Sequence, residues 1–368
     1  MAEYLLPLVL LFACSAVTSY LSTAVVKNAA ERIGLVDTPG ERKLHRFATP
    51  RLGGIAIIFG FGFPLLLMAG NPHAAGLVSK NLPYLFAVLS SGSLIIGLGV
   101  YDDLLGTNAP KKFAVQTVAA LILVTFGFQF DTISLAGRVF DLGIFGIIAS
   151  TIWIVGVINA MNFIDGMDSL ATVVAITTAV AFGVIALLRF DFFSLVIMTA
   201  LAGSLIGFYP WNRPPAKIFM GDTGSLFIGL LLAAISIARP SKSPTALIFG
   251  GPILALALPV IDTLIVMRTR FRGAELPLRQ RLTRIFTADR NHIHHVLIAK
   301  YGSDGKAIFS IWIVTLLFAA AAVMTVVDST KLIGYTSGVL AFVVLLLLRY
   351  RKRKPPATEQ VEEEKARA

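Results

Sequence analysis

The sequence predicts an all-α polytopic membrane protein with about eleven transmembrane helices. Hydrophobic residues make up 56% of the 368-residue chain and charged residues only 14%, whereas soluble domains carry about 25% charged residues. Eleven mainly apolar segments each approach the roughly 20 residues that span a bilayer. Lys and Arg are concentrated in alternate loops, which predicts an external N-terminus and a cytoplasmic C-terminus.

The eleven apolar segments follow one another with mostly short connections. They are 4–26, 52–70, 82–100, 112–127, 143–159, 169–188, 191–209, 223–239, 245–267, 307–327 and 331–350. The fourth and fifth are short, so we expect them to be tilted or partly interfacial. Pro259 predicts a kink in the ninth segment, because proline removes a backbone hydrogen bond and its ring clashes with the preceding turn.

The loops on one side of the predicted bundle carry 26 of the 32 Lys and Arg residues. They comprise 27–51, 101–111, 160–168, 210–222 and 268–306, together with the tail from Arg349. Positive loops face the cytoplasm, so this set is predicted to be cytoplasmic. We therefore divide the chain into one polytopic transmembrane domain, 1–350, and a charged tail, 351–368, that we expect to be disordered.

The net charge of +11 does not indicate a nucleic-acid partner, because the basic residues lie in short loops between apolar segments. The single cysteine, Cys14, lies in an apolar stretch and excludes a disulfide within the chain. The chain also lacks a P-loop and a dinucleotide-binding fingerprint. A nucleotide at this protein would thus be a substrate of a transferase and not fuel for a pump.

Four polar clusters interrupt the apolar sequence, all on the predicted cytoplasmic side. They are Asp102-Asp103, Asn159–Asp168, Phe219–Ser225 and His292–His295. A charged residue at the centre of a membrane helix costs roughly 2.5–3.5 kcal/mol. Four such clusters on one face predict a functional site there.

Each cluster also has a purely structural interpretation. Asp102-Asp103 suits a divalent cation or a proton acceptor, but it also suits a solvated loop start. Asn159 and Asn162 share a helix face and could bind a metal, a base or a sugar, or could belong to a helix C-cap. Asp222 fits a magnesium and phosphate site at a helix N-terminus, or an N-cap at Asp222 or Thr223.

The histidine cluster and the basic loops complete the predicted site. The spacing of the histidines fits no structural zinc pattern, so phosphate or sugar recognition, together with Arg290, is the favoured interpretation. Further bases lie in the first cytoplasmic loop and after the Asp pair: Arg42, Lys43, His45, Arg46, Arg51, Lys111 and Lys112. Acids for a metal and bases for anions on one face are typical of a nucleotide-diphosphate site.

These motifs resemble those of the polyprenyl-phosphate N-acetylhexosamine-1-phosphate transferases, which belong to glycosyltransferase family 4. The resemblance runs from about Asp37 to Leu297 through DTPGERKLHRFATPRLGG, YDD followed by PKKFAVQ, NAMNFIDGMD, FMGDTGS and DRNHIHH. It is closest to the bacterial undecaprenyl-phosphate GlcNAc-1-phosphate transferases, and the phospho-MurNAc-pentapeptide transferase is a relative. The sequence departs from the family at Ser169, where many relatives have glycine, which puts the local turn in question.

The resemblance implies transfer of GlcNAc-1-phosphate from UDP-GlcNAc to undecaprenyl phosphate, with Mg²⁺ as cofactor and Mn²⁺ as a substitute. The products are undecaprenyl-diphosphate-GlcNAc and UMP, in O-antigen, common-antigen or teichoic acid synthesis at the bacterial inner membrane. Domain 1–350 would be catalytic, with its active site on the cytoplasmic face, and relatives suggest a homodimer. Another UDP-N-acetylhexosamine or UDP-MurNAc-pentapeptide is the alternative donor, and an ion-coupled transporter is the alternative class.

The resemblance also implies roles for individual residues. Asp222 would be the main metal ligand with Asn162 as the second, and Asp102 or Asp103 would deprotonate or position the lipid phosphate. Phe219 would stack on uracil, and Asp165 or Asp168 would hold the uridine. The remaining implied substrate contacts are Lys112 at the phosphates, His292, His294, His295 and Arg290 at the sugar-diphosphate end, and Asn159, Lys43, His45 and Arg51.

Overall fold

The computed structural model describes residues 2–37, 48–70, 75–135, 138–238, 251–272 and 292–350, and most of these are helical. The helices are α1 Ala2–Arg32, α2 Gly53–Ala69, α3 Ala75–Lys80, α4 Leu82–Leu105, α5 Ala109–Thr125, α6 Gly143–Ile164, α7 Leu170–Leu188, α8 Phe192–Asn212, α9 Gly221–Ile237, α10 Gly251–Ala255, α11 Ala257–Arg272, α12 Ile293–Tyr301, α13 Asp304–Met324 and α14 Lys331–Tyr350. Two short antiparallel ribbons pair β1 Val36–Asp37 with β2 Thr49–Pro50, and β3 Thr132–Leu135 with β4 Arg138–Asp141.

Seven helices within the described residues are long and apolar enough to cross a membrane, namely α1, α4, α6, α7, α8, α13 and α14. Helices α2 and α9 are apolar but have only 17 residues each. The chain is therefore a polytopic membrane protein, as the composition predicts. The number eleven and the orientation of the termini stay predictions. Lys43, His45, Arg290 and the tail 351–368 lie outside the described residues.

Helix α9 occupies the centre of the bundle. Every residue from Thr223 to Ile237 is buried, and the helix packs against α2, α4, α6 and α7. A helix that is apolar on all sides is stable only when it is surrounded by other helices. Peripheral α1 is the opposite case, since it exposes leucines such as Leu5 and Leu21, as expected of a surface that faces lipid.

Two glycines let neighbouring helices approach the start of α9. A Cβ atom at Gly54 of α2 would lie 2.1 Å from the backbone nitrogen of Gly224, and one at Gly99 of α4 would lie 2.4 Å from Thr223 Cα. Any larger residue at either position would push these helices apart. The close packing sets the distance between the Asp pair at the end of α4 and Asp222 at the start of α9.

The predicted kink near Pro259 is present as a break between two helices. Helix α10 ends at Ala255 and α11 begins at Ala257. The proline ring clashes with the carbonyl four residues earlier, which here belongs to Ala255. The break thus lies one turn before the proline, and α11 continues to Arg272.

Candidate active site

The four polar clusters converge on one cleft of about 380 Å³. Asp103, Asp165, Asp222 and His295 line it, so each cluster contributes a carboxylate or an imidazole. The other lining residues are Asp37, Arg51, Gly166, Met167, Asp168, Asn212, Phe219, Gly221, Asp304 and Ile308. The fold therefore brings together residues that lie up to about 270 positions apart in the sequence, from Asp37 to Ile308.

A lysine joins two of the carboxylates beside the cleft. The Lys112 Nζ atom of α5 lies 2.5 Å from Asp102 Oδ2 and 2.5 Å from Asp222 Oδ2. The Asn162 side chain of α6 lies beside Asp222, and its Nδ2 donates to Ser225 Oγ at 2.9 Å. Charge-assisted contacts of this kind are strong, so α4, α5, α6 and α9 are fixed relative to one another at this point.

The two adjacent aspartates of α4 have different surroundings. Asp103 accepts hydrogen bonds from the backbone nitrogens of Asp222 and Thr223, at 2.8 and 2.9 Å, and from Thr223 Oγ1 at 2.6 Å. The first N–H groups of a helix have no partner within the helix, so Asp103 caps α9 from another helix. The alternative interpretation, an N-cap at Asp222 or Thr223, is wrong, because the N-cap position is Met220 and its side chain forms no cap.

Phe219 is held at the cleft by its backbone. Its nitrogen donates to the Pro50 carbonyl at 2.9 Å, and its carbonyl accepts from the Gly53 nitrogen at 2.9 Å. The next residue, Met220, accepts from Gly54 at 2.7 Å. Arg51, in the same β2–α2 segment, pairs with Asp37 at 2.8 Å, so two described residues of the first predicted cytoplasmic loop line the cleft.

Another part of the cleft lining depends on a residue that the sequence did not indicate, Asn212. Asn212 is buried at the end of α8, where its Oδ1 accepts from Thr172 and its Nδ2 donates to the Ile218 carbonyl. The Asp168 Oδ2 atom accepts from the Ala216 nitrogen at 2.9 Å in the same turn. An asparagine just before a Pro-Pro pair indicates a turn, but its role in the cleft wall follows only from the fold.

The histidine cluster is divided among three environments. His295 lines the cleft, while the His294 ring packs on Gly166, where a Cβ atom would lie 2.6 Å from Nε2. The His292 Nδ1 atom lies 2.8 Å from Oδ2 of Asp262. Burial, followed by the neighbouring His295 and His292, lowers the pKa of His294 to about 3, so His294 is neutral at physiological pH.

Asn159 lies away from the predicted substrate position. Its side chain is buried, and Nδ2 donates to Gln116 Oε1 and to the Val155 carbonyl, each at 2.7 Å. It is not among the residues that line the cleft. A helical repeat places Asn159 and Asn162 on similar faces, but Asn159 meets α5 whereas Asn162 meets α9.

Ser169 adopts the backbone conformation that favours glycine. Its φ angle is +61°, in the left-handed region, at the N-cap position of α7. A non-glycine residue pays roughly 1–2 kcal/mol for this conformation. Serine in place of the family's glycine is therefore compatible with the turn but adds local backbone strain.

The Asp165 carboxyl, at the C-cap position of α6, lies in an electrostatically unfavourable environment. Within the described residues it has no side-chain hydrogen bond, and burial raises its pKa well above the ordinary value of 3.8. The charges of Asp222, Asp103 and Asp168 raise the pKa further. The group therefore retains its proton to higher pH when folded, and ionising it opposes folding.

We expect Asp165→Asn to raise the thermal stability of the purified protein at pH 8 and to lower its activity. Because the folded carboxyl has the higher pKa, the wild-type protein loses stability as pH rises from 3.8 through that value. The stability gain should thus shrink as the pH is lowered toward 4. Melting curves in detergent at several pH values measure this, and a variant less stable than wild type at pH 8 would contradict it.

The acids are arranged in a way that suits Mg²⁺. Within the described ranges, no three His, Cys, Asp or Glu side chains form a complete metal cage. Mg²⁺, however, is usually held by one or two carboxylates together with substrate phosphates and water. Asp222 and Asp102 already approach a common cation, the Lys112 ammonium group, and the Asn162 amide adjoins Asp222.

The protein is thus a polytopic helical bundle with acidic and basic side chains gathered in one cleft. Residues 85–239 match glycosyl transferase family 4. The chain is 32% identical to a "Probable undecaprenyl-phosphate N-acetylglucosaminyl 1-phosphate transferase" of Bacillus subtilis, over 88% of this chain and 86% of that protein. This chain belongs to glycosyl transferase family 4 and is a transferase.

Two further similarities extend along much of the chain. It is 32% identical to a "Decaprenyl-phosphate N-acetylglucosaminephosphotransferase" of Mycolicibacterium smegmatis, over 94% of this chain and 89% of that protein. It is 34% identical to a "Phospho-N-acetylmuramoyl-pentapeptide-transferase" of Streptococcus mutans, over 57% of this chain and 64% of that protein. The resemblance expected from the motifs is thereby confirmed at the level of the family.

Proposed function

We propose that the protein transfers GlcNAc-1-phosphate from UDP-GlcNAc to undecaprenyl phosphate, giving undecaprenyl-diphosphate-GlcNAc and UMP. The observation that carries this proposal is the cleft, which is lined by Asp222, Phe219 and Asp168 and which Lys112 adjoins through its contact with Asp222. Cation-binding groups for a diphosphate thus adjoin an aromatic ring and acids for a nucleoside. The names of the two GlcNAc-phosphotransferase relatives support this donor.

In the proposed reaction, a phosphate oxygen of undecaprenyl phosphate attacks the sugar-bearing phosphorus of UDP-GlcNAc. The bond from that phosphorus to the bridging oxygen breaks, and UMP leaves. The reactants are all anionic, so the protein must mainly offset their repulsion and align them. Lys112 and Arg51 supply positive charge, while Asp102 is the carboxylate that can orient the lipid phosphate, since Asp103 is engaged in capping α9.

Asp222 and Asn162 would hold Mg²⁺, with Mn²⁺ as a substitute. The bound ion would polarise the phosphoryl oxygens and offset their negative charge. The prenyl chain would stay in lipid beside the bundle, and the phosphate would reach the cleft from the membrane surface. We place the cleft on the cytoplasmic side of a bacterial inner membrane, with the N-terminus outside, because the basic loops face that side.

The proposal is tested with purified protein, Mg²⁺, UDP-GlcNAc and undecaprenyl phosphate. We expect UMP release that requires both substrates and is abolished by EDTA. No UMP release, under conditions in which the Bacillus subtilis relative is active, would refute the proposal. Competition with UDP-MurNAc-pentapeptide and with other UDP-N-acetylhexosamines then measures donor choice.

The competing transporter hypothesis predicts acids that are accessible from both sides of the membrane. In the structure, the Asp pair lies in the last turn of α4 and Asp222 lies in the first turn of α9. Cysteine placed at position 102 should therefore react with a membrane-impermeant reagent only from the cytoplasmic side. Reaction from the outside would favour the transporter.

A further inference from the structure

We propose that Asp262 is a positioning residue for the histidine cluster, and this role rests on the proposed transferase function. Asp262 lies on α11 and is only 2% exposed. It belongs to none of the four clusters and does not line the cleft. Its carboxylate nevertheless contacts both the start of α12 and the end of α14, so one buried charge connects three helices.

The first contact fixes the start of α12. The Ile293 backbone nitrogen donates to Asp262 Oδ1 at 2.9 Å. The N-cap residue of α12, His292, makes no side-chain cap of its own, so Asp262 provides the cap from another helix. Two residues further on, in the first turn, His295 reaches the cleft. A shift of this turn would therefore move an imidazole that lines the proposed substrate site.

The second contact orients an imidazole. The His292 Nδ1 atom lies 2.8 Å from Asp262 Oδ2. A carboxylate in this position selects the ring form with hydrogen on Nδ1 and holds the ring in one orientation. The His292 ring lies nearly parallel to that of His294, with centroids 5.9 Å apart. The ring that Asp262 orients therefore stacks beside the histidine that packs on Gly166.

The third contact neutralises the carboxylate. Nη1 of Arg349, at the end of α14, forms a salt bridge with Asp262 Oδ1, and the arginine side chain is only 6% exposed. An isolated buried carboxylate is costly, whereas a paired and hydrogen-bonded one persists. Lys300 makes a separate contact between α12 and α14 by donating to the Leu348 carbonyl at 3.2 Å. That contact provides a matched control.

The two substitutions at Asp262 separate capping from orientation. Asp262→Ala removes both the cap and the contact that orients His292. Asp262→Asn keeps the size of the side chain and an oxygen that can accept from the Ile293 nitrogen. It places an N–H₂ group, however, against Nδ1 of His292. We expect the KM for UDP-GlcNAc to rise in both variants and kcat/KM for UDP-GlcNAc to fall roughly 10- to 100-fold, the usual effect of removing the partner that orients a functional histidine. KM for undecaprenyl phosphate should stay within about twofold, and Lys300→Met should resemble wild type.

A merely structural role would give a different result. Loss of folded protein lowers the active fraction and so lowers kcat, but it leaves both KM values unchanged. Asp262 should also act through His292, so that Asp262→Asn combined with His292→Gln is no worse than the more damaging single variant. Monodisperse Asp262 variants with wild-type kinetics toward UDP-GlcNAc, or with effects that add to those of His292→Gln, would overturn the proposal.

Hydrogen exchange tests the same inference without substrates. The amides of α12 should exchange faster in Asp262→Ala than in Lys300→Met, while peptides of α7 and α9 keep their protection. Unchanged exchange in α12 would refute the positioning role. If the wild-type protein releases no UMP, the proposed function fails and the exchange result alone decides whether Asp262 positions α12.

Discussion

Replacing Asp222 by asparagine is expected to lower turnover by roughly a thousandfold or more while leaving the protein folded. The substitution keeps the shape of the side chain and removes the negative charge in the first turn of α9. In the proposed reaction this charge holds Mg²⁺, and without the ion the repulsion between two phosphate groups is no longer offset. The charge also pairs with Lys112, so the variant alters two parts of the site together.

The measurement is UMP release per folded molecule over a range of Mg²⁺ concentrations. The same substitution at Asp141, an exposed carboxylate of β4 that accepts from Gly143, provides the control and should leave turnover within about twofold. If Asp222 is a metal ligand, any residual activity of the Asp222→Asn variant should also require a higher Mg²⁺ concentration than the wild-type protein does. Wild-type turnover in monodisperse Asp222→Asn protein would contradict the metal assignment.

The membrane fold is predictable from the sequence because span length and apolar composition are local properties. Segment 331–350 coincides with α14, and 169–188 differs from α7 by one residue. The ninth segment is less regular because Pro259 divides it. The convergence of the polar clusters also follows from the alternation of loops, since every second connection must lie on the same side of a bundle.

The division of tasks within a cluster is not predictable in the same way. Asp102 and Asp103 are adjacent in sequence, but successive helical side chains point about 100° apart, so one meets Lys112 and the other caps α9. Asp262 belongs to none of the four polar clusters, and its three partners lie 30 or more residues away in the sequence. Such partners are determined by packing, which a single sequence does not show.

The second large effect on activity is expected at Lys112 of α5, and the adjacent Lys111 provides its control. Lys112→Met should lower kcat/KM by roughly 100- to 1000-fold, whereas Lys111→Met should stay within about twofold. The two residues have the same side chain and occupy adjacent positions near the start of α5. The Lys112 side chain, however, is only 21% exposed and lies between Asp102 and Asp222. Lys111 is exposed, and its backbone nitrogen, which a substitution keeps, makes the cap contact with Asn108.

Loss of Lys112 has two consequences that the measurement can separate. The Asp102 and Asp222 carboxylates lose the cation between them, and uncompensated charge in a poorly hydrated site is costly, so thermal stability without Mg²⁺ should fall. Added Mg²⁺ should restore stability if it binds the same carboxylates, but it should not restore turnover, because the positive charge that faces the phosphates stays absent. Full recovery of turnover with Mg²⁺ would show that Lys112 acts only by offsetting the repulsion between the two acids. Equal activity of the two methionine variants would show that Lys112 has no role in the site.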